Sequence, residues 1–116
     1  MPRPRKCRKV CRLPATKEFC PVNGTNEWVT LTVDEYETLR LIDREGFSQE
    51  ECAGFMQVAR TTVQQIYNTA RNKLACALVE GRGIRIEGGD YTLCSGEETD
   101  CRCGGCHRHR KSRCAP

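Results

Sequence analysis

Between Ser48 and Glu80 the chain reads SQEECAGFMQVARTTVQQIYNTARNKLACALVE, two apolar-periodic segments separated by a few residues, the second much the longer. Cys52, Ala53 and Met56 recur at helical spacing in the first. Val63, Ile66, Ala70, Leu74, Ala77 and Leu78 continue the period in the second, and Val58 bridges the two. Both segments are expected to be amphipathic helices sharing one core. In the window from Gln49 to Asn68, apolar side chains fall at the fourth, eighth, tenth, fifteenth and eighteenth places. Small Ala53 takes the fifth, where steeply crossing helices bring their backbones close. That is the helix-turn-helix pattern. Its ninth place favours positive φ and often holds Gly; here it holds Gln57, at a modest steric cost. Ala59 supplies no hydroxyl to cap the second helix, whereas Thr61 with Gln64 forms a capping box further on, so a late helix start is expected.

The positions left outside this core point to duplex DNA. Arg60, Thr61, Thr62, Gln64, Gln65 and Asn68 are candidates for the major groove, because Arg suits guanine, Gln and Asn suit adenine, and Thr suits a base or a phosphate. Arg71 and Lys73 are candidates for phosphates. The plainer alternative is a helical hairpin with a solvated polar face.

Charge supports the same expectation. The formal net charge is +4, but all the acids lie between residues 13 and 101, where 8 bases face 15 acids. Residues 1–12 carry Arg3, Arg5, Lys6, Arg8, Lys9 and Arg12, and residues 102–116 carry five further bases. Cationic arms on an acidic body most often meet nucleic acid, where each phosphate contact releases counterions; a solvated tail is the alternative. Arg3, Arg5 and Lys6 join the candidate contacts.

The ten cysteines depend on compartment. No apolar run is long enough for a membrane span or a signal peptide, so a cytoplasmic protein is expected, in which clustered cysteines bind metal more readily than they form disulfides. Residues 94–116 have almost no apolar side chains and would need a metal or a cross-link to order them. Cys94, Cys101, Cys103, Cys106 and His107 can supply a tetrahedral zinc site, with Cys103 or His107 as the fourth ligand. An iron–sulfur cluster, redox thiols and an unstructured tail stay open. Cys7, Cys11 and Cys20 could complete that site or form a second, while Cys52 and Cys76 are assigned to the helical core.

These readings predict a mainly α fold: a trihelical helix-turn-helix domain with a small β-hairpin, a basic N-terminal arm and a Cys/His-rich C-terminal tail. Residues 1–27 form the arm and a loop, 28–93 the domain, and 94–116 the tail. After a short β-prone run from Trp28, a helix from Val33 to about Glu45 opens on the capping box of Thr32 and Glu35, its outer face taken as acidic and turned from DNA. Gly46 ends it, and Ser48 with Glu51 caps the next. Ile84 and Ile86, the GGD turn, and Tyr91 and Leu93 predict the hairpin, either a wing bringing Arg82 and Arg85 near phosphates or a cover for the core.

The runs RPRKCRKVC, LTVDEYETLRLID-EG-SQEECA, VARTTVQQIYNTARNKLA-ALV-G and RIEGGDY resemble the domain-of-unknown-function 134 family of small prokaryotic proteins over nearly the whole chain. That resemblance implies a predicted DNA-binding protein whose helix-turn-helix is similar to region four of sigma factors. The leading expectation is thus a sequence-specific DNA-binding transcriptional regulator. The alternative is a metal- or redox-responsive adaptor that binds a protein such as RNA polymerase through the acidic first helix. An enzyme is not expected, since no phosphate loop, nucleophile triad or paired carboxylates stand out. A homodimer would raise DNA affinity, with Leu74 to Val79 as its contact.

Overall fold

In the computed structural model, which describes residues 8–93, three helices pack on two small sheets. In chain order these are β1 (Arg8–Val10), β2 (Glu18–Phe19), β3 (Trp28–Leu31), α1 (Val33–Leu39), a π-helical turn (Arg40–Arg44), α2 (Gln49–Met56), α3 (Arg60–Glu80), β4 (Gly83–Ile86) and β5 (Tyr91–Leu93). The fold is therefore α/β, and the expected mainly α trihelical domain with a hairpin is overturned by its strands.

No β4–β5 hairpin forms, for a local reason. One edge of β4 pairs with β3 in parallel and the other with β2 antiparallel, so it has no free edge for β5. Gly88 and Gly89 take positive φ of 77° and 98° and carry the chain across the start of α1. There the Gly88 carbonyl accepts from the Val33 amide at 3.0 Å. A Cβ on Gly89 would lie 2.3 Å from Asp34 Oδ1, so the crossing needs glycine. β5 then pairs in parallel with β1, aligning Arg8–Val10 with Tyr91–Leu93. The stretch expected to be a free arm is thus part of the body from Arg8 onward, with Val10 and Cys11 buried.

The core has two lobes, and α3 reaches both. Val63, near its start, joins Leu41, Cys52, Ala53, Met56 and Cys11 in the first. Ala70 joins Val10, Leu31, Val33 and Ile86 in the second, with Leu74 packed against it. Two of the three expected capping boxes form: Thr32 with Glu35 and Ser48 with Glu51 each bond reciprocally through side chain and backbone. The first helix is shorter than expected, because α1 widens after Leu39 into the π turn; the Glu45 amide reaches back to the Arg40 carbonyl at 2.9 Å.

That π turn helps set the charges of α1 inward. Glu37 is 2% exposed and takes two bonds from the Arg40 guanidinium, each 2.8 Å, and a third from the Cys11 amide at 3.1 Å. Glu45, 1% exposed, pairs with Arg44 at 2.7 Å and Arg40 at 3.6 Å. Asp34 and Glu35 are also buried, so of the carboxylates between Val33 and Glu45 that were expected to face outward, Asp43 alone is exposed. No helix among the described residues is long and apolar enough to cross a membrane.

Candidate nucleic-acid interface

Helix α2 ends on Gln57, whose backbone is left-handed at φ 60° and ψ 45°, the positive-φ turn that the spacing calls for despite its side chain. The Val58 amide closes the turn on the Ala53 carbonyl at 3.1 Å. Ala59 is extended and gives α3 no side-chain cap, yet α3 begins at Arg60; the late start at Thr61–Gln64 does not occur. The first α3 turn contains no acid, so its exposed amides and the positive end of the helix dipole are left uncompensated. In contrast, α1 and α2 both carry acids there.

With Val63, Ile66 and Ala70 held in the core, the opposite side of α3 is open to solvent. Arg60, Thr61, Gln64, Gln65, Asn68 and Arg71 are all exposed on it, a stripe about 16 Å long by helical rise. From Arg60 to Val79 there is no acidic residue. Two sequence-predicted residues leave this stripe. Thr62 is half-buried beside the core. Lys73 is half-buried with its ammonium 2.8 Å from Glu35 Oε1, the oxygen that also takes the Thr32 amide at 2.9 Å. Lys73 thus joins α3 to the capped end of α1.

One constellation on the stripe's edge was missed in the sequence. The Tyr67 hydroxyl donates to Asp43 Oδ1 at 2.7 Å and accepts from Arg71 Nη1 at 2.8 Å, with the Arg71 guanidinium 5.3 Å from the Tyr67 ring. Burial and the Asp43 carboxylate push the Tyr67 phenol above its ordinary pKa, while Arg71 pulls the other way. The result is a cation fixed beside the polar stripe. Its only sequence signal was the four-residue Tyr67–Arg71 spacing, because Asp43 comes from a different element.

The other expected cations are occupied within the protein. Arg85 stacks 4.4 Å from the Trp28 ring and pairs with Glu18 at 2.9 Å, and Arg82 pairs with Glu80 at 2.8 Å and Glu27 at 3.4 Å. Arg8 lies 3.5 Å from Asp90 and 3.9 Å from Asp34. Arg3, Arg5, Lys6 and Cys7, and the proposed ligands Cys94, Cys101, Cys103, Cys106 and His107, lie outside the described residues. Among the described residues no group of three or more His, Cys, Asp or Glu side chains is placed to hold a metal. Cys52 is buried as expected, its thiol pushed up to about 12 chiefly by burial. Cys76, also expected in the core, is exposed, because the inward direction passes to its neighbour Ala77.

A family model, "Protein of unknown function DUF134", matches residues 1–94. The chain belongs to the DUF134 family. It is similar to a UPF0251 protein of Desulfitobacterium hafniense, 55% identical over 99% of this chain and 94% of the relative. A UPF0251 protein of Thermoanaerobacter sp. is 48% identical over 94% of this chain and 98% of its own length. A third, from Caldicellulosiruptor saccharolyticus, is 56% identical over 78% of this chain and 66% of its own. No solved structure matches. The DUF134 match covers all the described strands and helices, so the turn at Gln57 and the α3 stripe lie inside the family's shared region.

Proposed function

We propose that the protein binds double-stranded DNA as a transcriptional regulator, inserting the first three turns of α3 into the major groove. The observation that carries this is the exposed, acid-free stripe of Arg60, Thr61, Gln64, Gln65 and Asn68, supported on α2 through a left-handed turn. On this basis α2 and α3 form the two arms of a helix-turn-helix. Arg60, Gln64, Gln65 and Asn68 read base edges, and Arg71, held by Tyr67, bonds a phosphate. The bare start of α3 also favours a phosphate. The adaptor alternative, binding through the acidic first helix, has less to support it, since of that segment's carboxylates all but Asp43 are buried.

The test is selection of a preferred duplex from a random pool, followed by competition binding at fixed salt. Arg60→Ala should lose about 1–3 kcal/mol of binding and relax preference at one base pair. If the purified chain shifts no duplex at low salt, or if Arg60→Ala binds its selected site unchanged, the assignment fails.

A further inference from the structure

The far end of α3 carries a feature that DNA reading does not use. Leu78 and Val79 are 84% and 82% exposed, and beside them β2 presents Phe19 at 52%. Phe19, Pro21, Ala77, Leu78 and Ile84 line a groove of about 340 Å³ between the end of the helix and the edge of the sheet. We infer that this groove is a two-fold contact between copies of this chain, each taking the Leu78 corner of the other.

Two observations select a second copy as the occupant. The first is charge. A two-fold contact sets every charge near its own twin, and among the described residues the groove is lined by one charged side chain, Arg82, which Glu80 and Glu27 neutralise at 2.8 and 3.4 Å. The second is distance and direction along a single helix, and it rests on the DNA-binding reading. Ala77 lies about 20 Å along α3 from Gln64 by helical rise, so a two-fold near Leu78 sets two polar stripes at most about 40 Å apart, when the helices lie end to end. A modest inclination of the helices brings that to the roughly 34–36 Å between half-sites one DNA turn apart. Leu78 lies five full turns beyond Arg60, in line with one edge of the stripe, so copies joined there can face the same duplex with both stripes. A groove this small implies a weak dimer, in which DNA supplies the rest of the association.

The experiment is sedimentation equilibrium of the full chain, without DNA and under reducing conditions because Cys20 and Cys76 are exposed. The wild type should show a concentration-dependent dimer, and Leu78→Glu should weaken its association about tenfold or more. Phe19→Ser, on the opposite wall, should do the same. Since both side chains are exposed, circular dichroism melting should be unchanged in both variants. A chain that stays monomeric at every loading, whether residues 94–116 or a foreign protein takes the groove, overturns the inference, as does a dimer indifferent to both substitutions. A dimer that Leu78→Glu dissociates but that binds no duplex supports this contact while refuting the DNA reading.

Discussion

Helices α1 and α3 are both rich in polar side chains and orient them in opposite ways. In α1, Asp34, Glu35 and Glu37 are buried, and the adjoining π turn buries Glu45 with Arg40 and Arg44 around it. In α3 the exposed stripe is mostly neutral, with Arg60 and Arg71 as its cations, and the one cation drawn toward the body, Lys73, is bound to Glu35. Much of the negative charge of the body is therefore consumed in joining its parts. The side chains that α3 leaves exposed along its stripe are of the types able to bond base edges.

The largest expected effect tests the α1 side of this contrast. Glu37→Ala would leave the Arg40 guanidinium and the Cys11 amide without the carboxylate that binds them, in a place water does not reach. Removing one member of a buried pair typically costs about 3–5 kcal/mol, a large share of what a domain this size possesses. Urea unfolding should show that loss, whereas Arg60→Ala should stay within about 0.5 kcal/mol of the wild type. If both substitutions cost the same stability, the division of labour between the helices is wrong.

How much of this was legible depended on whether a signal was local. The capping boxes at Thr32 and Ser48, the left-handed Gln57 and the solvent side of Arg60, Gln64 and Gln65 follow from spacings of three and four residues. Strand partners do not, since β4 pairs with β3 and β2, both of which lie on the far side of all three helices in the chain. The run Arg8–Val10 is too short and too basic to show alternation, and only its pairing with β5 makes it a strand. Burial of Glu37 was invisible for a related reason: an acid on a helix reads as exposed unless its partners are known, and one of them is the Cys11 amide, far away in sequence. Tyr67 was hidden likewise by its bond to Asp43.

A smaller effect separates stability from binding at a single position. Ala59 leaves the start of α3 uncapped, so Ala59→Asp should bond the first-turn amides and raise stability by about 0.5–1 kcal/mol. The same carboxylate would stand where a DNA phosphate is expected, so affinity for any duplex should fall as the melting temperature rises. An increase in both would mean that the bare helix start faces away from DNA.

The smallest effect concerns the turn between the two arms. Gln57 holds φ at 60°, a conformation costing a side-chain-bearing residue of order 1 kcal/mol that glycine does not incur. Glycine, however, gives the unfolded chain more freedom, offsetting much of that relief. Gln57→Gly should therefore stabilise by no more than about 0.5 kcal/mol, while Gln57→Val, β-branched and unable to adopt positive φ comfortably, should destabilise clearly. Since Gln57 is exposed, neither change removes a packed side chain, and the difference between the two variants isolates the backbone. If the valine variant melts with the wild type, the turn does not need its left-handed residue, and the angle at which α2 presents α3 must be set by Val58, Ala53 and the core beneath them.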